Sequence, residues 1–366
     1  MTSIARKNLL SDRPKLLASV GGVALAVLLV LSLLSVYFGS SAQARAYPEN
    51  SGADRWVVQT GASDLFHTVS ILPAGFTDKL RSVAGVTSVS PLVNHASRVK
   101  MHDETVTAAV FGFDPATGLG GPWKIVDGTD QVKDGETVID RTLARQNNVK
   151  VGHTITIGPK QFKVVGISAD TSAIVLQYLF VRLADAQAAF NQPNIVNYYL
   201  VKTTDPAALE KAAPEIIPNS EVQTIDSVAE ANQEVVSTSF LPIILLLVLI
   251  GLAVGATVIG LTIYTATAER AREFAVLKAV GVGNGRLYRI VTAQSLLVSL
   301  IGFVVGLGLF WVVQQIAYYA APAVAFSLAG PYYGYVLGGV IVMSVGASFV
   351  PIHKINQIDP VEVFNA

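Results

Sequence analysis

Four uninterrupted apolar runs, at residues 16–38, 238–267, 290–319 and 332–351, constrain this chain more than any other feature. None contains Asp, Glu, Lys or Arg. A bilayer core of about 30 Å needs about 20 apolar residues at 1.5 Å each, so every run is long enough to cross. The fold class expected is therefore a membrane protein with four transmembrane α-helices. A large α+β extracytoplasmic domain, residues 39–237, lies between helices 1 and 2. The competing reading of the first run is a cleaved signal peptide, with "SSAQARA" supplying small residues after it. A signal core spans about 7–15 residues, which favours a retained span.

Charge sets the orientation. The chain is formally neutral, with 26 basic and 26 acidic residues. Residues 38–237 hold 16 Lys+Arg against 21 Asp+Glu, and the remainder holds 10 against 5. Short basic segments stay on the cytoplasmic side. Both termini, residues 1–15 and 352–366, and the loop 268–289 are therefore expected inside, with the acidic domain outside. Residues 1–15 carry Arg6, Lys7, Arg13 and Lys15 around Ile4, Leu9 and Leu10, an amphipathic segment suited to an anionic lipid face. The whole is expected in a bacterial cytoplasmic membrane.

Within the spans, Gly251 and Gly255, and Gly302 and Gly306 with Gly308, offer small faces for close helix packing. Tyr318, Tyr319, Tyr332, Tyr333 and Tyr335 border the outer loop 320–331, as interfacial aromatics do. In the outer domain, "RWVVQT", "VTSVSPLV" and "TVTAAVFGF" alternate like strands, and 76–86 reads as a helix. "ETVIDRTLARQNNVKVGHTITIGPKQFKVVGIS" reads as a helix, a turn and two strands. A further helix begins near Asp205-Pro206, and 225–234 reads as a polar helical stalk.

The chemistry absent is as informative. No cysteine is present, which excludes disulfides and thiolate metal sites. There is no G-x-x-x-x-G-K-[ST] phosphate loop, and His67, His95, His102, His153 and His353 form no HExxH pattern. Asp103-Glu104 and Asp134-Glu136 lack a partner base. No enzyme, resident cofactor, metal site or nucleic-acid partner is read here. Without charges in the spans, an ion path is not expected either.

The loop 268–289 is the most informative polar stretch. Phe274, Leu277 and Val280 form an apolar stripe flanked by Arg270, Arg272, Glu273 and Lys278, and Gly281, Gly283 and Gly285 then stop the helix. One reading is a solvated connector whose charges only fix topology. The other is a lever that a cytoplasmic partner pushes. The run resembles R-x-x-E-x-[AG]-x-L-[KR]-A-[VIL]-G of FtsX-like, MacB-type (type VII) ABC transporter permeases, met by Arg270, Glu273, Ala275, Leu277, Lys278, Ala279, Val280 and Gly281. The tail "DPVEVF" resembles theirs as well, and so does the order of elements along the chain. The compact outer domain is more similar to the DevC and HrtB group.

That resemblance implies a permease homodimer with two copies of a separate ATPase, which binds the ATP and magnesium. ATPase closure would squeeze a coupling helix comprising Glu269, Arg270, Arg272, Glu273, Phe274, Leu277, Lys278 and Gly281, with Phe274 and Leu277 as knobs. Long helices would carry the movement outward, a mechanism called mechanotransmission. The substrates implied are membrane-resident amphiphiles, haem first and lipid or glycolipid second. Tyr37, Phe38, Glu230, Glu234 and Phe240 are the candidate substrate residues, near the outer leaflet. The alternative is an FtsX-like regulator that controls an extracytoplasmic hydrolase and transports nothing.

Overall fold

The computed structural model describes residues 13–356 apart from 103, 174, 175, 281 and 322. Residues 1–12 and 357–366, which include Arg6, Lys7 and the "DPVEVF" tail, lie outside the described residues, as does Gly281.

Four helices are long and apolar enough to span: α1 (Arg13–Asn50), and three later ones ending in the stretch Gly330–His353. After α1 come β1 (Arg55–Gln59), β2 (Leu72–Pro73), α2 (Thr77–Arg81), β3 (Val86–Met101), β4 (Glu104–Phe113), β5 (Ile125–Gly128) and β6 (Glu136–Asp140). Then follow α3 (Arg141–Gln146), β7 (Thr154–Ile157), β8 (Lys160–Ser168), β9 (Ser172–Ala173), β10 (Leu176–Arg182) and α4 (Leu183–Ala189). The domain closes with β11 (Ile195–Val196), β12 (Tyr198–Thr203), α5 (Pro206–Ile216) and β13 (Ser220–Thr224). The rest is helical: α6 (Ile225–Glu269), α7 (Ala271–Ala279), α8 (Asn284–Ala320), α9 (Gly330–Ala347) and α10 (Phe349–Asn356).

Two compact units emerge. One holds the described residues up to Phe38, Leu241–Ala321 and the described residues from Phe326 on; the other is built on Gly39–Phe240. Helices α1 and α6 are each continuous across the division.

In the second unit the main sheet runs β13-β1-β12-β3-β4-β10-β6-β8-β5, with β7 beside β3 and β8, and β9 beside β10. β4 and β10 pair parallel, as do β6 and β8. Side chains alternate across a strand, and the sheet uses both faces. Val57, Val110, Leu179, Val181, Tyr199 and Val201 share one core with Leu80 of α2, Ala186 of α4 and Leu209 of α5. Trp56, Phe111, Tyr178, Phe180, Tyr198 and Leu200 point the other way, into an aromatic core closed by Tyr47 of α1 and Val228 of α6.

Two local expectations are corrected. Glu136–Asp140, read as the start of a helix, is a strand. Thr137, Val138 and Ile139 are β-branched and fully buried, which suits a central strand; the helix begins only after Asp140, whose carboxylate accepts from Thr142 N at 2.7 Å as an N-cap. The helix read over 76–86 is confined to Thr77–Arg81. Gly85 (φ +79) turns the chain there, against Asp205 so closely that a Cβ would sit 2.6 Å from the Asp205 Cβ.

In the first unit, close packing falls on particular glycines. A Cβ at Gly302 would lie 2.6 Å from Val23 Cβ, and one at Gly306 2.7 Å from Ala24 O, so α8 meets α1 backbone to backbone. Gly255 lies against Ala26 and Met343, and Gly251 against Leu29. Gly308 differs: nothing lies within 4 Å of its Cβ position. At 3.6 residues per turn it sits on nearly the opposite side of α8 from Gly306. Gly22, packed on Val258, is a contact that the glycine-pair pattern does not pick out.

Candidate functional site

The loop between the second and third spans takes its shape from its ends. α6 stops at Glu269, and Arg270 leaves helical geometry (φ −101, ψ 19) before α7 starts. Phe274 N bonds Arg270 O at 3.1 Å, so α7 begins at once. At its far end Val282 N reaches Leu277 O at 3.0 Å, and Gly283 (ψ 148) becomes the N-cap of α8.

The faces of α7 are unlike each other. Phe274 and Ala275 are buried in the core of the helix bundle with Ile263, Leu287 and Val291. Arg272, Glu273, Val276, Leu277 and Val280 are exposed, and Val280 is 79% exposed. The expectation that Phe274 and Leu277 form one outward stripe with Val280 is therefore corrected for Phe274. Successive steps of three residues fall about 60° short of a full turn, so Phe274 and Val280 end roughly 120° apart. Phe274 keys the helix into its own bundle. The open stripe is Val276, Leu277 and Val280, with Glu273 one turn before Leu277.

Glu269 pairs with Lys15, which joins the end of α6 to the start of α1. Arg270 and Lys278 each have partners within the protein. A small cavity lies beside this pair, lined also by Gln294.

The proposed substrate residues divide between the units: Tyr37 and Phe38 in one, Glu230, Glu234 and Phe240 in the other. Phe38 stands at the centre of a short chain of rings, 5.1 Å from Tyr37 and 4.0 Å from Tyr332, with Tyr335 a further 5.9 Å along. Glu230 and Glu234 are exposed one turn apart on α6, and Phe240 is 41% exposed.

Candidates for catalysis resolve into structural roles. Asp140 is buried, and burial pushes its carboxyl above the usual range, while hydrogen bonds from Thr171 and Thr142 pull the other way. Its oxygens cap α3 and accept from Thr171 Oγ1 at 2.8 Å, and Thr171 Oγ1 in turn lies 2.6 Å from Ser168 Oγ, a fully buried network inside the domain. His95 packs on Phe190 and His102 on His153. Among the described residues no group of three or more His, Cys, Asp or Glu could hold a metal ion.

Two features escape sequence reasoning. Tyr47 is fully buried and its hydroxyl donates to Gly120 O at 2.8 Å. Asn232 is fully buried on α6, donating to Ala44 O at 3.1 Å and accepting from Leu65 N at 2.9 Å. An aromatic and an amide just outside apolar runs are the only signals either leaves in the sequence.

Two family models match the chain in succession. The family model of the MacB-like periplasmic core domain matches residues 16–218. The model of the FtsX-like permease C-terminal region matches residues 239–360. An uncharacterized ABC transporter permease of Mycobacterium tuberculosis is 27% identical over 92% of this chain and 91% of its own length. The macrolide export ATP-binding/permease protein MacB of Acinetobacter baylyi is 25% identical over 78% of this chain and 46% of its own. Among solved structures, the periplasmic region of MacB from Actinobacillus actinomycetemcomitans aligns over 50% of this chain and 92% of that one, with a TM-score of 0.39 and 14% identity.

Proposed function

The chain belongs to the MacB-type, FtsX-like family of ABC transporter permeases, and from that premise we propose that it is the membrane subunit of an exporter powered by a separate ATPase. The observation that carries this reading is the two-sided α7. One side, Phe274 and Ala275, is keyed into the bundle, and the other presents Val276, Leu277 and Val280 to a partner. ATP binding and magnesium chemistry belong to that partner, because the sequence holds no phosphate loop.

In this proposal two permeases pair and two ATPases dock on their cytoplasmic loops. Both termini and α7 are cytoplasmic, as the basic loops favour. ATPase closure pushes α7, and the push travels along α6 and α1 by mechanotransmission. Both helices run unbroken from the spans into the outer domain, where Asn232 ties one to the other through Ala44 O. The substrate need not cross a central pore, which suits spans without charge.

The substrate class proposed is a membrane-resident amphiphile, haem first and lipid or glycolipid second. The resemblance to the DevC and HrtB group and the ring chain Tyr37, Phe38, Tyr332 and Tyr335 support it, since aromatic walls are the usual composition of small-molecule sites. Titrating haemin into the detergent-solubilised protein should give a saturable Soret change. Tyr37→Phe should alter the change if the phenol oxygen ligates ferric iron, as tyrosine does in some haem proteins. No saturable change in the wild type assigns a lipid instead. A change untouched by Tyr37→Phe keeps haem and discards the ligand.

A further inference from the structure

We propose that the outer domain carries a groove for an anionic sugar, one that bears a phosphate or a carboxylate. The groove is a cavity of about 410 Å³ between α3, β5 and β8, wholly inside the second unit. That volume lies in the range of small-molecule sites. With one water occupying about 30 Å³ of liquid volume, it holds far more than a bare phosphate.

The chain builds the walls by two local devices. β5 ends the main sheet, and its register shifts between Ile125 and Asp127. Such a shift re-aims side chains, and Val126 and Asp127 both line the groove. On the other side Asp140 caps α3, which starts at Arg141. Asn148 (φ +52) then turns the chain, and Val149 N bonds Ala144 O at 2.9 Å. The turn brings Asn148 and Lys150 to the same groove as Arg141 and Arg145. The floor, Ala144 and Ile167, is already buried in the domain core. It supplies shape, and recognition falls to the polar walls.

Charge is the first argument. Carboxylates outnumber cations in residues 38–237, 21 against 16. Cations elsewhere in the domain find them: Arg55 pairs with Glu210, Arg81 with Asp78, Lys124 with Asp170 and Arg182 with Asp134. Residues 141–169 run against that composition, with five Lys+Arg and no Asp or Glu. Arg145 has a partner within the protein and is left out of the balance. Arg141 and Lys150 have neither an ion pair nor a side-chain hydrogen bond among the described residues. Two unpaired cations therefore stand against one carboxylate, Asp127.

The mixture of groups names the ligand class. A guanidinium presents a planar fork that fits phosphate or carboxylate, and an ammonium adds a point charge. Asp127 and the Asn148 amide supply acceptors and donors that suit hydroxyls. Val126, 46% exposed, offers apolar surface to the C–H face of a sugar ring. An anion without hydroxyls meets Asp127 as a like charge, whereas a sugar meets it as an acceptor. This site is independent of what the permease exports.

The test is calorimetric titration of the full-length, detergent-solubilised protein with glucose 6-phosphate, glucuronate, glucose and inorganic phosphate. Glucose 6-phosphate or glucuronate should bind saturably, and the tighter of the two identifies the acid. Glucose and inorganic phosphate should each bind at least about tenfold more weakly, the loss expected for one charge-assisted contact. Arg141→Gln and Lys150→Gln should each weaken binding of the acid sugar by about the same factor. Asp127→Ala should shrink its advantage over inorganic phosphate, a ratio that partial misfolding does not alter. Lys211→Gln, an exposed cation on α5 outside the groove, should change nothing. No saturable binding of either acid sugar, or glucose binding as tightly, overturns the site. Unchanged affinity in both Arg141→Gln and Lys150→Gln overturns its place, and equal loss in Lys211→Gln overturns it in favour of general charge. Inorganic phosphate binding as tightly, or an unchanged ratio in Asp127→Ala, overturns the sugar assignment.

Discussion

Tyr47→Ala should lower the melting transition of the outer domain by roughly 10 °C, from about 3–5 kcal/mol of lost stability. The side chain is fully buried in a nest of rings. It stacks on Phe111 at 4.1 Å and meets Tyr178 at 5.8 Å and Trp56 and Trp123 at 6.0 Å. Removing it leaves a ring-sized void that the sheet cannot close, because β4 and β10 are held in register on that face. It also strips the Gly120 carbonyl of the hydroxyl it accepts from. Tyr47→Phe separates the two contributions: it keeps the ring and should cost only about 1–3 kcal/mol for the unpaired carbonyl. Trp56 and Trp123 border the residue, so tryptophan fluorescence and near-ultraviolet circular dichroism during melting report on the right place. A Tyr47→Ala protein that melts with the wild type would show that α1 is not anchored in the domain.

The second large effect belongs to α7. Val280→Asp and Leu277→Asp should each weaken assembly with the ATPase subunit about 10–100-fold, with stimulated ATP turnover falling alongside. Burying a valine or leucine fully contributes about 1.5–3 kcal/mol, and an acid in the same interface costs more unless it is paired. Both residues are exposed in the permease itself, Val280 at 79%. Neither change should therefore disturb folding or membrane insertion. Phe274→Ala should behave differently. Its side chain belongs to the bundle core, so it should loosen the loop and lower the melting temperature. Co-purification assays of the three variants distinguish a docking face from a structural one. Unchanged assembly in Val280→Asp would reduce the stripe to solvated surface.

The spans were legible because a bilayer imposes a length and forbids unpaired backbone, which leaves a long charge-free run few alternatives. The loop helix α7 was legible for its existence but not for its faces. Phe274, Leu277 and Val280 look equivalent by spacing, and only the packing of Ala275, Leu287 and Val291 around Phe274 assigns the sides. Glu136–Asp140 was misread because five residues are too few to separate helix from strand when a genuine helix follows at Arg141. The parallel pairing of β4 with β10 joins segments more than sixty residues apart, and no local pattern announces it. Tyr47 is the clearest case. It follows an apolar run in a stretch that reads as a boundary, and its role depends on Trp56 of the next strand and on Phe111 and Tyr178, which reach it from distant strands.

The most direct measurement of the central claim is phosphate release by the purified permease alone, by the ATPase subunit alone, and by the two together in lipid. The account predicts no hydrolysis by the permease, and turnover by the assembled complex above that of the subunit alone, with the increment lost in Val280→Asp. Robust hydrolysis by the permease alone, or a complex that turns over no faster than its ATPase subunit, would contradict it.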